Sequence, residues 1–120
     1  MDEILNFMRS PVVSIDSLST AQEGATHMLK NNVSSLLVKE NDNYVGIVTH
    51  TDLVREVLAT GLDPKTTTMK SIMTHPIIAR DHYLTRSDVN EFMCQKKIKH
   101  LAVTKQGKIV GMLTTKDMMS

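Results

Sequence analysis

Apolar and polar positions alternate along this chain in two matching series. Val12 to Ile15, behind Pro11, is a short apolar run that predicts a strand, and Ile77 to Ala79, behind Pro76, predicts another. Thr20 with Glu23, and Thr85 with Asp88, have the spacing of a capping box, so a helix follows each strand. Ala21, Ala25, Met28 and Leu29 form the apolar face of the first helix; Val89, Phe92 and Met93 form that of its counterpart. Leu36 to Val38, the turn formers Asn41-Asp42-Asn43, and Tyr44 to Val48 then read as a hairpin. Its match runs from Leu101 to Val103, turns at Gln106-Gly107 and continues from Ile109 to Leu113. A further helix starts near Asp52, carries the stripe Leu53, Val54, Val57 and Leu58, and stops at Gly61 and Pro64.

The series coincide without a gap when the chain slides by 65 residues, which lays Met8 on Met73. Pro11 then falls on Pro76, Asp16 on Asp81, Thr20 on Thr85, Gly46 on Gly111, Thr49 on Thr114 and Asp52 on Asp117. Short apolar strands align by chance; Pro, Gly, Thr and Asp at one shift do not. Each repeat is strand, helix, strand, strand, helix. We therefore expect a first motif over 1–62 with an N-terminal segment, a solvated linker over 63–70, and a second motif over 71–120 lacking most of its last helix. Ile4, Leu5 and Phe7 are the apolar residues available to cover the surface which that helix would have covered.

Composition changes this picture little. The chain has 120 residues, 41% of them hydrophobic and 22% charged, with a net charge of +1. That suits one folded domain, or two small repeats sharing a core, and disfavours a broad nucleic-acid surface. Nine Met stand in for scarce aromatics as fillers of irregular gaps. The lone Cys94 forbids an internal disulfide, fits a reducing cytosol, and reads as a small buried hydrophobe. No basic, apolar leader and no membrane-length apolar run is present, so a soluble, cytoplasmic protein is expected.

The tandem segments Gly46-Ile47-Val48-Thr49-His50-Thr51-Asp52-Leu53 and Gly111-Met112-Leu113-Thr114-Thr115-Lys116-Asp117-Met118 resemble the cystathionine-beta-synthase (CBS) motif. With the proline-led strands, helices and hairpins, the resemblance covers nearly the whole chain. It implies an α+β fold of two β-α-β-β-α motifs, packed sheet to sheet about a pseudo-twofold axis with two clefts between them. It also implies a regulatory module and not an enzyme. The ligand would be an adenosine-containing nucleotide (AMP, ADP, ATP or S-adenosylmethionine), with or without magnesium. The implied assembly is a homodimer acting on a regulated protein that the sequence does not name.

Given the resemblance, Asp52 is the expected ribose ligand, a role its chemistry suits because two carboxylate oxygens can accept from both hydroxyls of a sugar diol. Thr49 and Thr51 place hydroxyls beside it; Val12, Val13 and Val33 are candidates for an adenine slot. Asp117, Thr114, Lys116, Ile77, Ile78 and Ile98 are their equivalents in the second repeat. Both Thr-x-x-Asp pairs also have capping-box spacing, so these residues can start helices instead, or cap through Thr while Asp stays free. The resemblance implies that phosphates are met from the opposite repeat. For Asp52 those residues are Lys99 and His100; for Asp117 they are the uncharged Ser34 and Ser35, with Lys116 and Arg80 as substitutes if they point inward. The Asp52 site is therefore expected to bind a phosphorylated nucleotide more tightly.

Other chemistry finds no support. The five histidines lack paired metal-ligand spacing, no glycine-rich phosphate loop is present, and no Ser, His and Asp fall in a nucleophile-elbow context. The competing readings are a ligand-free CBS dimer that serves as an interaction module, and the regulatory part of a small enzyme or transport subunit.

Overall fold

The computed structural model describes residues 1–119 and confirms a mixed α+β chain with two three-stranded sheets. The chain divides into two compact units, one of residues Val13–Ile77 and one of Met1–Val12 with Ile78–Ser120.

The Val13–Ile77 unit runs β1 (Ser14–Asp16), α1 (Ala21–Asn31), β2 (Ser35–Glu40), β3 (Asn43–Thr49), α2 (His50–Leu53), a π-type turn over Val54–Leu58, and α3 (Met69–Ile72). β1 pairs parallel with β2, and β2 antiparallel with β3, with a register shift at Val38/Lys39. The Thr20 capping box is complete, and α1 ends on Asn32 in the left-handed conformation that Asn tolerates. The core gathers Ala21, Met28, Leu36, Val38, Val48, Val57, Met69 and Ile72.

One expectation fails in detail here. Leu29 is 82% exposed, because the buried face of α1 follows Ala21, Gly24 and Met28, and Leu29 lies about 100° round the helix from Met28. The segment after Gly61 also meets the start of α1. Ala21 N–H donates to Thr67 O (2.8 Å), Gln22 to Pro64 O (3.0 Å) and Met69 to Ser19 O (2.8 Å), so the return segment is tied to the start of α1.

The other unit repeats the pattern with β4 (Ala79–Asp81), α4 (Arg86–Lys96), β5 (His100–Lys105), β6 (Lys108–Thr114) and a 3-10 turn over Asp117–Met119. Its β5–β6 loop has positive φ at Gln106 and Gly107, as a type I′ hairpin turn requires. Its core holds Val89, Met93, Leu101, Val103, Leu113 and, from the N-terminal segment, Ile4. This N-terminal segment packs within the unit of the second repeat. Ile4 N–H donates to Leu84 O (2.8 Å), Leu5 N–H to His82 O (3.2 Å) and Arg86 N–H to Asp2 O (3.0 Å). Arg86 also pairs with Asp2 at 2.8 Å and lies over the Phe7 ring. A hydrogen bond from the Met1 ammonium holds the exposed Glu3 carboxyl below its usual range. Cys94 is exposed, one step round α4 from the buried Met93, which corrects its reading as a buried hydrophobe.

Each unit also takes in the segment that leads into the other repeat's strand. Thr74 bridges Ile47 on β3, and Arg9 bridges Met112 on β6. Gly46 and Gly111 make room for these crossings. A Cβ at Gly46 would overlap the Met73 side chain and sit 3.0 Å from Thr74 O; one at Gly111 would overlap Met8 and sit 3.0 Å from Arg9 O. Glycine inside a strand commonly marks such an approach.

Candidate functional site

Asp52 stands at the junction of β3 and α2 and is 7% exposed. Thr49 caps α2, accepting from Asp52 N–H at 3.2 Å, while Asp52 Oδ2 accepts from Thr49 N–H at 2.9 Å and from Thr49 Oγ1 at 3.2 Å. Asp52 Oδ1 accepts from the Thr74 hydroxyl at 3.3 Å. The capping box is thus complete on both sides, and Asp52 is not left free while Thr49 caps alone. Its Oδ2 serves the helix. Its Oδ1 already receives a hydroxyl group, the chemistry a sugar would bring.

Ser34 and Ser35 reach the same junction from the start of β2. His50 N–H donates to Ser34 O at 3.1 Å, which joins the residue before β2 to the start of α2. Ser35 pairs with Thr49 across the sheet and is buried. Val13 accepts from Leu37 N–H through its carbonyl at 3.0 Å, and Val13 and Val33 are half-buried against the core. Thr51 is exposed. Ile77 closes this unit and is half-buried, whereas Val12 falls in the other one.

The second unit rebuilds the arrangement around Asp117. Thr114 N–H donates to Asp117 Oδ2 at 3.0 Å, and Asp117 N–H to Thr114 Oγ1 at 3.1 Å. Asp117 is half-buried, less enclosed than Asp52. Thr115 N–H donates to Lys99 O at 3.1 Å, the counterpart of the His50–Ser34 bond. Ile78 accepts from Ala102 N–H at 3.1 Å, and Ile78 and Ile98 pack against the core. Lys99 and Lys116 are exposed, and His100 is half-buried. Arg80 is committed elsewhere: its guanidinium lies 3.7 Å from the Phe92 ring centre and donates to Ala79 O at 2.7 Å.

Sequence reasoning missed Thr74 and Arg9. The mid-strand glycines were the available signal, since they imply a backbone crossing, and the residues that cross are Met73-Thr74 and Met8-Arg9. It also missed an apolar groove of about 390 Å³ in the Val13–Ile77 unit, lined by Ala21, Ala25, Leu53, Val54, Val57 and Leu58 among others. Only half of the expected Leu53–Leu58 stripe enters the core: Val57 is buried, while Val54 is 56% and Leu58 71% exposed. Among the described residues, no group of three His, Cys, Asp or Glu could hold a metal ion, and no helix is long and apolar enough to cross a membrane.

A family model described as the CBS domain matches residues 2–59 and again 69–120. An uncharacterized protein of Methanopyrus kandleri is 29% identical over 92% of the chain, which spans only 58% of that relative's length. The crystal structure of an uncharacterized conserved protein from Pyrococcus horikoshii superposes with a TM-score of 0.90 at 30% identity, covering 98% of this chain and 89% of that one. The hexameric CBS-CP12 protein from bloom-forming cyanobacteria superposes with a TM-score of 0.89 at 27% identity, covering 98% of this chain and 69% of that one.

Proposed function

Since the chain belongs to the CBS domain family, we propose that it is a nucleotide sensor, binding an adenosine-containing ligand such as AMP, ADP, ATP or S-adenosylmethionine and passing its occupancy to a partner protein. One observation carries the reading: a carboxylate oriented by two Thr49 donors, whose other oxygen receives a hydroxyl group. A ribose offers two such groups. The phosphates of the ligand would call for cations, and Lys99 and His100 are the candidates. A ligand alters a partner's binding only through differential affinity for two arrangements of the module, so the signal would lie in a shift between them.

The test is thermal unfolding with AMP, ADP, ATP, S-adenosylmethionine and NAD, with and without magnesium. A ligand at 100 times its Kd stabilises the native state by about 2.7 kcal/mol, enough to raise the melting temperature by several degrees. Asp52→Asn, which keeps the side chain's shape and a hydrogen-bonding oxygen, should abolish the shift for a phosphorylated nucleotide while Asp117→Asn reduces it less. Equal losses in both variants would remove the expected asymmetry. No shift with any of the five would remove the sensor reading.

The second reading is a ligand-free interaction module, and the open groove beside Val54 and Leu58 favours it. Exposed apolar surface of this kind suits contact with another protein surface. A second copy of the chain is the first candidate, given the hexameric relative. Self-association is compatible with either function.

A further inference from the structure

We infer that Thr74 gives the Asp52 half-site its preference for a vicinal diol, and so for ribose over deoxyribose; the inference rests on the reading of Asp52 as a sugar ligand. Each carboxylate oxygen has two lone-pair directions. At Asp52, Oδ2 spends both on Thr49, through the backbone N–H at 2.9 Å and the hydroxyl at 3.2 Å. Oδ1 spends one, on the Thr74 hydroxyl at 3.3 Å, and keeps the other. The carboxylate alone therefore has one acceptor position left, while a diol brings two donors.

Thr74 supplies the second position. A hydroxyl that donates one hydrogen bond still has acceptor capacity. This one is exposed, and its backbone is fixed to β3 from both sides: Thr74 N–H donates to Ile47 O at 2.8 Å, and Ile47 N–H to Thr74 O at 3.0 Å. Asp52 Oδ1 and Thr74 Oγ1 are thus neighbouring acceptors on fixed supports, a spacing suited to adjacent hydroxyls. Thr74 donates to Oδ1, but the carboxylate is held through Oδ2 by the two Thr49 donors, so removing the Thr74 hydroxyl loses one acceptor and leaves the other in place.

The second unit cannot reproduce this pair. Arg9 occupies there the bridging position that Thr74 holds on β3, and a guanidinium has donors only. Sugar discrimination should therefore belong to the Asp52 half-site, and Arg9 should leave it unchanged.

The experiment titrates AMP and 2′-deoxy-AMP into the wild type, Thr74→Val, Thr74→Ser and Arg9→Thr, with Asp52→Asn alongside. One hydrogen bond to a charged network corresponds to about a tenfold ratio in affinity. The wild type and Thr74→Ser should favour AMP by about that ratio. Thr74→Val, nearly isosteric at an exposed site, should weaken AMP while leaving 2′-deoxy-AMP almost unchanged, so that the ratio collapses toward one; Arg9→Thr should keep it. A Thr74→Val ratio equal to that of the wild type, or equal losses for both nucleotides, overturns the assignment of Thr74. If those results come with an Asp52→Asn variant that has lost AMP, the sensor reading stands and only Thr74 falls. If the wild type binds neither nucleotide, both fall together.

Discussion

Replacing Ile4 by Ala should destabilise the second unit out of proportion to its place near the start of the chain. Terminal residues are commonly frayed and tolerant of change. Ile4, however, is 0% exposed and packs among Val89, Met93, Leu101, Val103 and Leu113. Its backbone is anchored to Leu84 O at 2.8 Å, so the segment will not easily collapse into the space vacated. Truncating a fully buried Ile to Ala costs about 2–5 kcal/mol, counting both the lost transfer energy and the cavity. For a chain of this size that lowers the melting temperature by roughly 8–20 °C. Leu5→Ala is the internal control: Leu5 lies next in sequence but is 37% exposed, and its loss should cost under about 1 kcal/mol. Urea unfolding followed by circular dichroism measures both, and amide exchange shows whether the Ile4 variant opens α4 and β5 before β2 and β3. A cost below about 0.5 kcal/mol for Ile4→Ala, or one no larger than that of Leu5→Ala, would refute the claim that this segment completes the core.

Gly46→Ala and Gly111→Ala should each cost about 1–3 kcal/mol in urea melts, because the added methyl meets a backbone carbonyl at 3.0 Å as well as a methionine; a cost near zero would mean that the crossing segments can shift freely. Thr49→Val removes the hydroxyl that accepts from Asp52 N–H, and should cost about 1 kcal/mol and weaken nucleotide binding together; unaltered binding would separate the helix cap from the ligand site. The wild type should sediment as a species heavier than one chain, and Leu58→Lys should return it to a single chain by charging the open groove; an unchanged sedimentation coefficient would place the interface elsewhere.

What could be read from the sequence was whatever the two repeats share locally. The shift that lays Met8 on Met73 also relates Leu36 paired with Val48 to Leu101 paired with Leu113. It relates the register shift after Val38 to the one after Val103, and the left-handed helix end at Asn32 to that at Lys97. Only the first of those helix ends carries a residue that advertises the conformation; Lys97 adopts it because tertiary context overrides a weak local preference. Elements whose caps and periodicity agree, such as α1 with its Thr20–Glu23 box, were legible almost to the residue.

The two things not legible were choices between distant partners. Nothing local in Met8-Arg9 or in Met73-Thr74 says which sheet each will join, since either repeat offers a similar apolar surface. The mid-strand glycines limited that choice, because a side chain at Gly46 or Gly111 would press its Cβ to within 3.0 Å of the crossing carbonyl. The same long-range choice sets which residue crosses each hairpin. Thr74 and Arg9 follow equivalent methionines and make equivalent bridges, yet one brings a hydroxyl to its β-hairpin and the other a cation. Two motifs alike in Thr-x-x-Asp therefore differ at a position outside that motif, and an asymmetry in ligand preference needs no difference between Asp52 and Asp117 themselves. Exchanging the pair, Thr74→Arg with Arg9→Thr, should move the preference for a ribose diol from the Asp52 half-site to the Asp117 half-site, read as which Asp→Asn change then abolishes the AMP to 2′-deoxy-AMP ratio. If the ratio still depends on Asp52 after the exchange, the asymmetry originates within the motifs and not in the segments that cross them.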